Sequence, residues 1–290
     1  MASLLICSEC VDVCVRNKVI ISKEKKKMSE EKRKQHFVLV HGAGHGAWCW
    51  YKVKPQLEAS GHRVTALDLA GCGIDNTKSI TDISTCEEYS EPLIQLMTSL
   101  PNDEKVVLVG HSFGGLSLAI AMDKFPEKIS VSVFVTAVMP DTKHSPSFVV
   151  DKFASYMTPE GWMGSEFKPY GSDNSGLSVS FSTDYMKNRL YQLSPIEDLE
   201  LGLLLKRPAS LFMNELSRRT KFSDKGYGSV PRAYIVCKED NIISKELQQW
   251  MIDNYPVNLV KEMEETDHMP MFCKPQLLSA HLSEIAEKFD

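Results

Sequence analysis

Three separated groups of residues carry side chains that transfer acyl groups when folding brings them together. They are Gly110-His111-Ser112-Phe113-Gly114, Glu239-Asp240 and Asp267-His268. A serine hydroxyl is a weak nucleophile near neutral pH. It needs a base within hydrogen-bond reach and a carboxylate that holds that base in the right tautomer. Ser112, His268 and Asp240 supply one of each. Three other acids compete with Asp240. Asp267 adjoins His268, and a neighbouring side chain rarely folds back onto the ring's inner nitrogen. Glu239 points away from Asp240 if strand alternation persists beyond its strand. Asp141, which follows an earlier strand, stays in reserve. A tetrahedral intermediate also needs donors for its negative oxygen, and the residue after the serine, Phe113, offers its amide. The second amide is expected from the loop after the first strand, at Ala43.

Elements of a particular kind must position these groups. Val106-Val107-Leu108-Val109 has the unbroken aliphatic run of a buried parallel strand, and Leu116, Ala119 and Ile120 follow at helical spacing. Between them Gly110-x-Ser112-x-Gly114 reads as a sharp strand-to-helix turn, with glycines where strand and helix pass close together. Phe37–Val40 is a first strand, ending in His41-Gly42-Ala43-Gly44-His45-Gly46. The glycines there do not match a dinucleotide fingerprint, because Gly-x-Gly-x-Gly lacks the Gly-x-Gly-x-x-Gly spacing. Further strands are expected at Arg63–Leu69, Val131–Thr136, Arg232–Cys237 and Asn258–Met263. Helices are expected before Ser60-Gly61, where the glycine caps, and over Tyr89–Leu100. This alternation predicts a mostly parallel sheet flanked by helices, with right-handed crossovers. From about 140 to 230 the rhythm stops, which reads as a cap inserted over the C-terminal edge of the sheet. Within one domain spanning 35–290, the order Ser112, Asp240, His268 is that of α/β-hydrolases.

Composition narrows the function. The chain has 290 residues, 43% of them hydrophobic, enough for a sizeable core. A formal net charge of -5 argues against nucleic acid as a partner, and no apolar run has the length of a membrane span. Eight cysteines at irregular spacing point to reduced thiols and a cytoplasmic location. Cys7, Cys10 and Cys14 lack a second pair at zinc spacing, so no metal is expected. Residues 1–34 read as a disordered extension: Leu4-Leu5-Ile6 is soon interrupted by Glu9, Asp12 and Arg16, and a lysine-rich run follows. That pattern fits neither a secretory signal nor a transit peptide. Met28 is an alternative start, so residues 1–27 are either absent from the working protein or an unread targeting segment.

The run Phe37 to Lys52, the run Gly110 to Gly115, and Asp267-His268-Met269 closely resemble the plant methylesterase family of α/β-hydrolases. The resemblance extends from about Lys34 to the C-terminus. It implies hydrolysis of a small-molecule methyl ester of the methyl salicylate, methyl jasmonate or methyl indole-3-acetate kind. It also implies the triad Ser112, Asp240 and His268, no cofactor, a homodimer, and a cap of helices with a small antiparallel sheet. His45 and the cap's aromatic and methionine residues are expected at the substrate. The family includes hydroxynitrile lyases, which carry threonine where this chain has Gly42 and lysine where it has Met269. Gly42 and Met269 are therefore expected to border the substrate too, and a neutral Met269 favours ester hydrolysis over cyanide release. Relatives commonly carry cysteine at the position of Gly44 and Ala-Ser at Gly71-Cys72, both in loops expected to border the pocket. The alternative function is a slow or inert ligand-binding receptor on the same scaffold.

Overall fold

Valine-rich runs such as Val106–Val109 can only be satisfied where both faces of a strand are covered, and they form the middle of one sheet. The computed structural model describes residues 34–171 and 176–289, and from Gln35 onward the chain forms one compact unit. The extension 1–34, with Cys7, Cys10 and Cys14, lies outside the described residues apart from Lys34. Six strands, β1 (His36–Val40), β2 (Arg63–Leu67), β3 (Val106–His111), β4 (Ile129–Val135), β8 (Arg232–Cys237) and β9 (Leu259–Met263), build the main sheet. Their order is β2-β1-β3-β4-β8-β9, and every neighbouring pair is parallel. Parallel strands place all their C-terminal ends on one edge, where ligands of open α/β sheets bind. The loops after β1, β3, β4, β8 and β9 therefore meet there.

Most connections are helical: α1 (Val53–Ala59), α2 (Glu91–Ser99), α3 (Gly114–Lys124), α7 (Lys245–Asn254) and the terminal α8 (Pro275–Lys288). All of α3 except Asp123 and Lys124 is buried, so its apolar residues surround the axis instead of forming one stripe. Gly61 closes the turn after α1 at φ 91°, a value that favours glycine.

Some boundaries differ from the sequence reading. β2 stops at Leu67 because Asp68 turns its carboxylate onto two loop amides, Ala47 N–H at 2.6 Å and Ile74 N–H at 3.1 Å. The helix expected over Tyr89–Leu100 is two pieces, Cys86–Tyr89 and α2, that meet at Ser90. Ser90 Oγ donates back to Cys86 O at 2.7 Å, an alternative to regular helix bonding that favours such breaks.

Between β4 and β8 lie α4 (Ser147–Tyr156), α5 (Ile196–Leu205), α6 (Met213–Arg218) and a three-stranded antiparallel sheet. That sheet consists of β5 (Glu166–Tyr170), β6 (Gly176–Ser180) and β7 (Ala209–Ser210), in sequence order. Among the described residues no helix is long and apolar enough to cross a membrane. The five described cysteines are free, and no cluster among the described residues suits a metal ion.

Candidate active site

Ser112 stands at the end of β3 with φ 53°, a left-handed conformation that L-residues rarely adopt and that marks stored strain. The surroundings hold it there. Its carbonyl accepts from Val138 N–H at 3.0 Å and Gly115 N–H at 3.1 Å, while its own amide donates to Val135 O at 3.3 Å. Small residues make the turn possible. A Cβ on Gly114 would come within 2.6 Å of His41 O, and one on Gly110 within 2.5 Å of the Leu118 side chain. Gly42 is equally confined, since a Cβ there would lie 2.7 Å from Ser112 Cβ.

Ser112 Oγ is 2.9 Å from His268 Nε2, and His268 Nδ1 is 2.7 Å from Asp240 Oδ2. Asp240 is held in turn. Its Oδ1 accepts from Ile242 N–H at 2.6 Å and Ile243 N–H at 2.9 Å, and Thr136 Oγ1 donates to Oδ2. Donors on both oxygens hold the carboxylate facing the ring. Thr136, at the end of β4, was not singled out in the sequence; its lone signal was a hydroxyl after an apolar strand.

The competing acids are engaged elsewhere. Glu239 Oε2 accepts from Thr266 N–H at 2.8 Å, and Asp141 binds the His144 ring at 2.8 Å and Asn254 at 2.7 Å. Asp267 accepts from Leu193 N–H, Ser194 Oγ and Met269 N–H, at 2.8 to 2.9 Å. Burial pushes the Asp267 carboxyl above the ordinary range, although those hydrogen bonds oppose the shift.

His268's backbone is fixed by a second histidine, His111. His111 Nε2 lies 2.6 Å from His268 O, and because a carbonyl only accepts, Nε2 carries the proton. Burial depresses the His111 ring well below its usual value, so it stays neutral. The amides of Ala43 and Phe113 have no backbone acceptor among the described residues, and both residues line the same cavity as Ser112. Two free donors beside a serine are what an oxyanion requires.

That cavity measures about 50 Å³ and is walled by Gly42, Ala43, His45, Ser112, Phe113 and His268 from the core. The insertion adds Val150, Phe153, Trp162, Phe181, Tyr185 and Leu211. Among the described residues that line it none is lysine, arginine, aspartate or glutamate. A wider cleft of about 820 Å³ shares Phe153, Trp162 and Leu211 with it, but contains neither Ser112 nor His268. Chemistry therefore assigns the site to the smaller space.

Some expected pocket residues lie elsewhere. Met269 is fully buried and does not line the cavity, because the turn into the following helix carries it inward after His268. Gly71 and Cys72 do not line it either; the Cys72 thiol is buried 3.4 Å from the Tyr89 hydroxyl. Gly44 acts through Phe181. At φ 73°, a Cβ on Gly44 would press to 3.0 Å from the Phe181 ring, so its glycine leaves that ring room.

The matching family model is described as an alpha/beta hydrolase family and covers residues 37–280. Methylesterase 2 of Arabidopsis thaliana is 84% identical over 262 residues, 90% of this chain and 100% of that protein. The chain belongs to the plant methylesterase family. Salicylic acid-binding protein 2 of Nicotiana tabacum is 50% identical to this methylesterase over 260 residues, 89% of this chain and all of that one. Among solved structures, polyneuridine aldehyde esterase aligns with TM-score 0.85 at 46% identity, covering 88% of this chain and 100% of that one. The methylesterase is thus a serine ester hydrolase that acts on methyl esters.

Proposed function

We propose that the chain hydrolyses methyl esters of small, flat or cyclic carboxylic acids of the salicylate, jasmonate and indole-3-acetate type, with Ser112 as nucleophile. The observation that carries this reading is the unbroken Ser112–His268–Asp240 hydrogen-bond chain, at 2.9 and 2.7 Å, opening into an apolar cavity. His268 takes the hydroxyl proton as Ser112 Oγ attacks the ester carbonyl, and Asp240 stabilises the charged ring. The oxyanion then receives the amides of Ala43 and Phe113. His268 returns the proton to the departing methoxide, and methanol leaves. Water, deprotonated by the same ring, attacks the acyl-serine. Collapse of the second tetrahedral intermediate frees the acid and restores Ser112.

The cavity's mostly apolar walls support a largely apolar acyl group. Its uncharged lining supports a neutral ester as the species that enters. Cyanide release is disfavoured, because a departing cyanide needs a cation and none of the described residues lining the cavity is lysine or arginine.

The test is a panel of methyl esters incubated with the protein and with Ser112→Ala, scored by free acid, with mandelonitrile as control. Acid from at least one hormone-type ester, absent with Ser112→Ala, and no cyanide are the expected results. Binding of free acid without hydrolysis of any ester would support the receptor reading instead.

A further inference from the structure

Four consecutive cap residues, Tyr191 to Ser194, touch three of the loops that build the site, those of Ala43, Asp240 and His268. The Tyr191 hydroxyl is 2.7 Å from His45 Nε2, on the loop of Ala43. Gln192 Nε2 donates to Glu239 O at 2.6 Å, beside Asp240. Leu193 N–H and Ser194 Oγ donate to Asp267 Oδ2 at 2.9 and 2.8 Å, beside His268.

The direction of the first contact follows from its partners. His45 Nδ1 is 2.9 Å from Ala43 O, a pure acceptor, so Nδ1 carries the ring proton and Nε2 accepts from Tyr191. Burial lowers the His45 ring to about 4 and raises the Tyr191 phenol well above its usual value, so both stay neutral near pH 7. On the other side of Ala43, His41 Nδ1 lies 2.8 Å from Gly42 O, the carbonyl of the very peptide that bears the Ala43 amide. His41 Nε2 accepts from Leu69 N–H at 3.0 Å, which leaves its proton on Nδ1. Both carbonyls flanking the Ala43 amide are therefore held by neutral imidazoles, one of them anchored in the cap. At the other end of the segment, Asp267 Oδ1 accepts from Met269 N–H at 2.9 Å, so one carboxylate clamps the backbone beyond His268 to the cap.

We propose that Tyr191–Ser194 is a positioning strap through which the seating of the cap sets the Ala43 amide and the His268 loop, making Tyr191 and Asp267 positioning residues for ester hydrolysis. Neither lines the cavity, so neither touches the acyl group. This rests on the triad and oxyanion reading above. A strap of this kind acts on the transition state, because the geometry it maintains matters most when charge develops on the carbonyl oxygen.

The test compares Tyr191→Phe, Ser194→Ala and Asp267→Asn with the unmodified protein and with Ser112→Ala. Tyr191→Phe is expected to lower kcat roughly ten-fold while KM stays within about two-fold, the split of an interaction exerted in the transition state. Affinity for an aryl trifluoromethyl ketone, which forms an oxyanion on Ser112, should fall by a similar factor. Affinity for the free product acid should hold within about two-fold. Ser194→Ala should lower kcat less than Asp267→Asn, since it removes one of the carboxylate's bonds. Wild-type kcat in both Tyr191→Phe and Asp267→Asn, or equal losses for ketone and acid, would overturn the strap while leaving the triad intact. Undiminished hydrolysis by Ser112→Ala would instead overturn the reading beneath it.

Discussion

Ser112 is committed to one geometry by its neighbours, and the triad reading stands or falls on how its members depend on one another. Ser112→Ala and His268→Ala should each reduce kcat by roughly 10⁴-fold or more, and the double variant should be little worse, because such residues act as a unit. Multiplicative losses in steady-state assays would argue against the assignment. Asp240→Asn should be comparably severe, since an amide offers His268 Nδ1 the wrong partner; near wild-type turnover would shift the role to another acid. Gly42 yields a sharper prediction. Its missing Cβ would stand 2.7 Å from Ser112 Cβ, so Gly42→Ala must displace either the nucleophile or the loop of Ala43. We expect kcat to fall at least about ten-fold with the unfolding midpoint little changed, because the strain falls on an already strained turn instead of the core. Full activity would mean that the Ala43 loop can move freely.

The strand-turn-helix unit of β3 and α3 brings backbone closer to backbone than side chains normally allow. A Cβ on Gly115 would meet Val138 O at 2.1 Å, and Val138 N–H also holds the Ser112 carbonyl. Gly115→Ala should therefore cost at least about 2 kcal/mol in urea unfolding, the scale of overpacking with no side chain able to yield. It should also lower activity by tilting α3 away from the turn. Unchanged stability would show that the helix slides without penalty. Elements of this kind were legible in the sequence because their signals are local: four aliphatics, two flanking glycines and helical spacing lie within one short stretch. β8 and the acid and histidine loops were legible for the same reason. Thr136 and Tyr191 were not, since their partners Asp240 and His45 are distant in the chain and meet only once the sheet edge and cap are assembled. The inward turn of Met269 was hidden too, because a strand-end residue's direction depends on the helix that follows it.

At the scale of the whole molecule, several buried rings tie stability to pH. His41, His45 and His111 are all held below the ordinary histidine value, chiefly by burial. The unfolded chain binds protons on these rings as pH falls through about 6.5, whereas the folded chain resists until His45 nears about 4. The stability linked to them is complete above pH 6.5 and is lost on acidification; for His45 it is on the order of 3 kcal/mol. Urea midpoints should therefore drop steeply between about pH 6.5 and 4.5, and a flat profile there would contradict neutral buried imidazoles. The central claim, that core and cap together present Ser112 as the acyl acceptor, is tested most directly by acid-quenching the protein during turnover of a methyl ester and weighing its peptides. The peptide containing Ser112 should gain the mass of the acid less water, and Ser112→Ala should show no gain; an adduct on another residue, or acid released at the wild-type rate by Ser112→Ala, would contradict it.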